Sequence, residues 1–569
     1  MNTTPDAPGG PDPDSVALVV GRQGRTPPRM AVVGRGARLV LDLPQALETV
    51  RALERTGPRW VWWSASEAAA PLVTAGIRPA RAWDIAEAHR ILCGGWEAGP
   101  GVAWAAAHGL PIEGVPGAPT GDLFEAAIAL ERPLDEQTLV RPDGYLRPDA
   151  AAGTWQRTGQ GSDDRLLAWA DAALECAAGQ RDRAARIGRR VVATVHAESA
   201  AAVLCEELAH DGLPVDRSAL LALVEPLSGP RGERDAAVLR HAPGREHTDL
   251  RNPAQVRELL KAVGIDVPST RKHVLEGFAD AHPIVPALLR WRREERIATT
   301  YGLRWIEEHI GPDDRLRGRW TACDGAGGRM TAEAGLHNLP AALRAGVAAH
   351  PGHALVRADL GQIEPRVLAV VSGDTAFAQA TQADDLYAPV AARLRVERPI
   401  AKVAVLAAMY GQRSGPAGQA LRGLERAYPV AMAHLDRAYA AGTRGEPVRT
   451  YGGRLIPTGR FLAAAPVGAD PRLDAARGRF ARNAIIQGAA AELFKAWAAT
   501  VRATTADLGA RIVLCLHDEL LVHAPAEHAD EVARRVDAAL ADAARRWSPA
   551  PVRFVADLSV VQRWSEAKG

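Results

Sequence analysis

The chain has 569 residues, 47% hydrophobic and 24% charged, with a net charge of +2. That length exceeds a single hydrophobic core and implies about three or four domains of ordinary globular type. The near-neutral balance excludes recognition of a polyanion by bulk charge, so any anionic partner must meet local basic clusters.

Five cysteines (Cys93, Cys176, Cys205, Cys323, Cys515) are scattered without CxxC spacing. This argues against a disulfide framework and a zinc site, and suits a reducing cytoplasm. The first thirty residues carry prolines and acids rather than a basic segment followed by an apolar one. No apolar run reaches membrane-spanning length, so no membrane partner is expected.

In chain order, residues 1–14 are rich in Pro, Gly and Asp and read as a disordered tail. From 15 to about 190, short β-type runs (VALVV, MAVVG, RLVLDL, WVWWSA) alternate with Ala/Leu/Glu helices, predicting an α/β domain interrupted by a loop-like stretch over 140–164. Residues 191–320 read as mainly helical, and beyond 320 short strands mix with longer helices. No internal repeat is present.

Three later segments carry ionisable residues in chemically suggestive places. ALVRADLGQIEPRVLAVVSGD (354–374) predicts a strand, a turn at Gly361 and then a helix, so Asp359 stands at a strand end. Alone, such a residue is more often a turn or helix-cap residue than a ligand. ERPIAKVAVLAAMYGQ (397–412) predicts a helix, with Pro399 in its first turn and Gly411 just past its end. Arg398, Lys402, Leu406 and Tyr410 recur every four residues and form one ridge, on which two cations a turn apart can hold a polyphosphate. A solvated amphipathic face explains the same spacing. In RIVLCLHDELLVHAP (511–525), His517, Asp518 and Glu519 interrupt an apolar run. Burying such charge costs several kcal/mol unless it is paired or binds metal.

Together these segments resemble the family A DNA polymerases. That family carries DYSQIELR, RxxxKxxxFxxxYG and HDE in this order; here stand DLGQIEPR (359–366), Arg398-xxx-Lys402-xxx-Leu406-xxx-Tyr410-Gly411 and His517-Asp518-Glu519. GGRMTAEAGLHNLP (327–340), VRTYGGRLIP (448–457) and RFARNAIIQGAAAELFKAW (479–497) are similar to the family's intervening motifs, and LAHDGLPVD (208–216) to a thumb-region turn. The resemblance covers roughly residues 195–565. It implies a multidomain α/β and α+β chain, with an RNase H-like exonuclease-type domain (15–190) followed by a right-hand polymerase. The thumb would be 191–320, the palm 321–375 and 446–569, and the fingers 376–445.

The activity implied is template-directed addition of deoxynucleoside triphosphates to a primer 3′ end, by a monomer acting on primer–template DNA in replication or repair. Two divalent cations, Mg2+ or Mn2+, about 4 Å apart, would be held by Asp359, Asp518 and the Leu360 backbone carbonyl. Glu519 would be auxiliary and His517 would meet the primer. By the same resemblance, Arg398 and Lys402 serve the triphosphate and Tyr410 packs near the templating base. Glu364 excludes a ribose 2′-hydroxyl, with Gln362 beside it and Tyr387 nearby. Arg329, Asn338, Arg479, Asn483 and Gln487 match positions that touch the duplex without reading sequence. The clusters STRKH (269–273) and RWRREER (290–296) read equally as phosphate contacts or as solvated faces.

The chain departs from the family pattern in several places. Leu406 replaces an aromatic ring, Leu360-Gly361 replace Tyr-Ser, Pro365 replaces Leu, and Tyr387 stands where His is common. In the first domain Asp84 and Asp171 match the two later exonuclease aspartates, but no DxE occurs over 15–60, and Leu167 replaces the accompanying Tyr. A folded, nuclease-inactive domain is therefore expected, without the family's separate 5′-nuclease. Two alternatives stay open: a DNA-binding protein on a scaffold whose chemistry has lapsed, and a polymerase with residual 3′–5′ exonuclease.

Overall fold

The computed structural model describes residues 12–21, 29–117, 138–148, 162–411, 417–460 and 466–567. Of the expected tail and of the loop-like stretch 140–164, residues 1–11 and 149–161 lie outside them; Asp12–Asp14 form the turn that leads into the first strand. The chain divides into two compact units, one of Met1–Asp211, Arg319–Thr331 and Val356–Val560, the other of Gly212–Gly318, Ala332–Leu355 and Val561–Gly569.

The first unit opens with a five-stranded sheet: β1 (Ser15–Gly21), β2 (Arg29–Gly34), β3 (Ala37–Asp42), β4 (Arg59–Trp62) and β5 (Ala82–Asp84), in the order β3-β2-β1-β4-β5. β1, β2 and β3 are antiparallel neighbours, with Ala17 opposite Val33, whereas β1–β4 and β4–β5 run parallel. The β2–β3 hairpin turns through Arg35 and Gly36, both at positive φ, the geometry that matches strand twist in a two-residue loop. β1 is almost wholly buried and apolar because helices cover both faces of the sheet. Trp63 stacks on Trp169 of the helix Ser162–Ile187 with ring centroids 4.4 Å apart.

The same unit holds most of a second sheet, formed by β6 (His353–Leu360), β7 (Arg511–Leu516), β8 (Glu519–Pro525) and β9 (Ala556–Val561), in the order β7-β8-β6-β9. The helices Pro471–Thr505 and Ala529–Trp547 pack on it. The helices Tyr387–Leu394, Arg398–Tyr410, Ala417–Ala427 and Pro429–Thr443 form a further layer around Met409, Tyr428 and Leu435, over the stretch expected as fingers.

The sequence places the start of the helical thumb at 191, inside one continuous helix, Arg189–Asp211, that belongs to the first unit. Its buried Glu198 is the reason. Glu198 accepts from the Lys495 ammonium and lies 2.8 Å from an Arg454 guanidinium nitrogen, all three being nearly inaccessible. Further along, Glu207 takes two hydrogen bonds from Arg502, at 2.8 and 2.6 Å. The second unit, beginning at Gly212, packs its helices around Val256, Leu260, Leu288 and Trp291.

Candidate active site

Leu516 pairs with Glu519 across the β7–β8 hairpin, so His517 and Asp518 make up the whole turn. His517 has φ +51, a left-handed conformation that costs a residue with a Cβ about 1–2 kcal/mol. The Asp518 carbonyl accepts the Leu360 N–H at 2.9 Å, which seats the hairpin tip beside the end of β6, where Asp359 stands. Two acids 159 positions apart in sequence thus share one corner of the sheet. Burial, reinforced by the Asp518 charge, raises the Asp359 carboxyl to about 6. Burial, with Glu364 and Glu519 adding to it, also raises Asp518. Carboxylates that resist ionisation in each other's presence are a donor set with surplus negative charge, and their hard oxygens fit a divalent cation.

Beneath them lies a side chain that the sequence pattern did not flag. Arg357 donates to Asp359 Oδ2 at 2.7 Å and to Glu519 Oε1 at 2.6 Å. Its i, i+2 spacing from Asp359, which puts both on one face of a strand, was the available signal.

A cavity of about 390 Å3 opens next to Asp518. Its wall is the ridge of the helix Arg398–Tyr410, and Arg398, Lys402, Leu406 and Tyr410 all line it, with Gln362, Glu364, Tyr387, Arg329 and His517. Asp359 is not among the lining residues. The ridge forms because Pro399 starts the helix, Gly411 at φ +70 ends it, and Ala401, Ala404, Val405 and Ala408 bury the opposite face. Lys402 is exposed and its ammonium has no partner among the described residues, whereas Arg398 is held by Asp385 at 2.5 Å. Asp385, a second residue the sequence reading missed, also accepts from Gln362 Nε2 at 2.7 Å. Gln362 is left-handed (φ +57), and its side-chain oxygen accepts the Leu386 N–H. Tyr387 is buried below Arg398, whose guanidinium carbon lies 5.8 Å from the ring centroid. Glu364 accepts from Arg329 at 2.6 Å and from the Tyr410 hydroxyl at 3.4 Å, and burial raises its pKa. Ala490 and Ala491, small residues of the helix Pro471–Thr505, complete the lining and leave it open.

Arg479, Asn483 and Gln487 follow one another along that long helix at four-residue steps and so share a face. Arg479 packs by Gly411, and Gln487 by Gly327 in the turn of the Trp320–Asp324/Arg329–Ala332 hairpin. The Asn483 side-chain oxygen is buried without a hydrogen-bond partner among the described residues. Asn338 belongs to the second unit, where its carbonyl accepts from Arg296 and the Tyr301 hydroxyl. In RWRREER, Arg292 and Arg296 are spent on backbone carbonyls, and in STRKH Lys272 pairs with Glu276.

The structure does not bring the two aspartates matched to the exonuclease into one site. Asp84 is the buried N-cap of the helix Ile85–Cys93, accepting from the backbone of Glu87 and Ala65 and from the Trp62 indole. Asp171 is exposed and paired with Arg38 through two hydrogen bonds, at 3.0 and 2.9 Å. β1 offers no carboxylate between them. An Asp heading a helix is spent on its backbone N–H groups.

Comparison with known proteins agrees with this geometry. The family model for DNA polymerase family A matches residues 237–566. DNA polymerase I from Thermus thermophilus is 29% identical over 330 residues, 53% of this chain and 38% of that protein. The Thermus aquaticus enzyme is 30% identical over 295 residues, 47% of this chain and 35% of that protein. The chain therefore spans about two fifths of the length of these relatives. The solved POL domain of Pol1 from M. smegmatis, in complex with DNA primer-template and dNTP, shares the fold: TM-score 0.65, 20% identity, covering 97% of this chain and 96% of that one. The family match extends over more than half of the chain and takes in the Asp359 strand, the ridge helix and the Asp518 hairpin: the protein belongs to DNA polymerase family A.

Proposed function

We propose that the protein is a template-directed DNA polymerase, which adds deoxynucleotides to the 3′ end of a primer annealed to template DNA. The observation that carries this reading is the cavity beside Asp518, walled by Arg398, Lys402 and Glu364. The POL domain from M. smegmatis, seen with primer-template and dNTP, supports the choice of substrates.

Phosphoryl transfer asks a protein mainly for positioning and charge neutralisation. Lys402, exposed on the ridge and without a partner among the described residues, meets the triphosphate directly. Arg398 exchanges Asp385 for a phosphate oxygen. Glu364, clamped by Arg329, presents a fixed carboxylate where a 2′-hydroxyl would have to fit. His517, its pKa lowered by burial, is neutral at pH 7 and offers the primer a hydrogen bond rather than a charge. Two divalent cations, held by Asp359 and Asp518 with the Leu360 carbonyl, would activate the 3′-hydroxyl and neutralise the departing pyrophosphate. We further propose that proofreading is lost, since Asp84 and Asp171 are committed to a helix cap and an ion pair.

The test is primer extension with Mg2+ by the wild type beside Asp359→Ala and by the wild type in excess chelator. Extension is expected only from wild type with metal; equal extension by the variant would refute the assignment. Leu406, an aliphatic side chain on the cavity wall, favours the second reading, a duplex-binding scaffold without chemistry. That reading predicts DNA binding with no extension.

A further inference from the structure

Arg357 stands two residues before Asp359 on the central strand β6, and its side chain is 5% exposed. Because β6 lies between β8 and β9, a side chain on its face has neighbours on both sides. Arg357 uses them all. Nη2 donates to Asp359 at 2.7 Å, Nε to Glu519 on β8 at 2.6 Å, and Nη1 to Asp557 on β9 at 3.4 Å. A cation buried under carboxylates that must receive cations is an unexpected expense, and it needs a reason.

The guanidinium fork supplies one. Its N–H directions are fixed by a rigid plane, so three acceptors at these positions are held in three defined orientations. Glu519 is 7% exposed, and its Oε1 is committed to the Arg357 bond. We propose that Arg357 is the positioning residue of the nucleotidyl-transfer centre. It orients Asp359 beside Asp518, ties Glu519 away from metal coordination, and sets divalent-cation affinity below that of the carboxylates alone. This inference rests on the two-cation reading above. The positive charge weakens cation binding directly, and its removal leaves the buried Glu519 carboxylate without the guanidinium that offsets its charge.

The experiment compares wild type with Arg357→Met, which removes the charge, and Arg357→Lys, which keeps charge without the fork. Mn2+ binding is read by electron paramagnetic resonance without DNA or nucleotide, with melting temperature as the control for folding and Asp518→Ala as the reference without the site. Arg357→Met is expected to bind Mn2+ roughly tenfold more tightly, and Arg357→Lys within about twofold of wild type. In saturating metal, both are expected to lose about tenfold or more in kcat, with nucleotide KM held within about twofold, because a misplaced carboxylate slows the step rather than substrate binding. A folded Arg357→Met with unchanged or weaker Mn2+ affinity overturns the proposal, as does wild-type kcat in either variant. Should Arg357→Met not fold, the kcat of Arg357→Lys decides. If wild type and Asp518→Ala bind Mn2+ alike, the two-cation reading itself fails and takes the proposal with it.

Discussion

Asp359 shows how a single residue trades stability for chemistry. Burial and the facing Asp518 hold its carboxyl at about 6 against an ordinary 3.8. A raised folded-state pKa means that folding takes up a proton between these values. Stability is therefore complete below about pH 4, falls as pH rises through 6, and stays reduced above. Asp359→Asn should raise the stability of the metal-free protein at pH 7.5 by roughly 1–2 kcal/mol, discounted for partial exposure, and make no difference near pH 3.5. Scanning calorimetry in chelator checks this, and a variant that melts lower at pH 7.5 contradicts it. The same proton competes with metal, so the Mg2+ concentration for half-maximal extension should fall as pH rises to 6 and level off beyond. Asp359 and Asp518 were singled out in the sequence because their segments stand in one order with the ridge helix between them; a strand-end acid alone would have read as a turn or cap residue. Arg357 was not, because the proximity of Glu519 and Asp557 exists only once β6 lies between β8 and β9.

Among the elements, the helix Arg398–Tyr410 walls the cavity in which the nucleotide is proposed to bind. Its bounds were readable from Pro399 and Gly411 and its ridge from a four-residue repeat. What the repeat did not disclose is the unequal state of its two cations. Arg398 is tied to Asp385 while Lys402 stands free among the described residues. Lys402→Ala is accordingly expected to lower kcat/KM for nucleotide by about a hundredfold, with unchanged circular dichroism, since its side chain supports no packing. Arg398→Ala should cost less, about tenfold, because part of its interaction is already spent on Asp385. Steady-state kinetics on one primer–template separates the two, and equal losses would refute the distinction. Glu364→Ala, which empties the place held by Arg329, should raise ribonucleotide insertion relative to deoxynucleotide by about ten- to a hundredfold, read by competition on a gel. No change would remove Glu364 from sugar selection.

At the scale of the whole molecule, the amino-terminal sheet, the helix Arg189–Asp211 and the second sheet belong to one compact unit. Trp83 meets His196 edge-on, the Asp84 N–H donates to Ser199, and Glu198 meets Lys495 and Arg454. A sequence read in consecutive blocks sets a boundary inside that helix, because a partner 297 positions away leaves no local signal. Removing Glu198 strands two buried cations, so Glu198→Ala should destabilise the unit by roughly 3–5 kcal/mol in chemical denaturation, and a loss below about 1 kcal/mol would contradict the packing described. The amino-terminal sheet then serves as a structural partner of the second sheet. With metal and no nucleotides, a mismatched primer should stay intact, and its shortening from the 3′ end would overturn the loss of proofreading. The central claim is template-directed synthesis at the Asp359–Asp518 corner. Its most direct test is single-turnover addition of one nucleotide with Mg2+, across all four templating bases, by wild type beside Asp518→Ala. The wild type should add the complementary deoxynucleotide in each case, with the variant slower by roughly a thousandfold or more. A wild type that ignores the template base, or is no faster than Asp518→Ala, would contradict it.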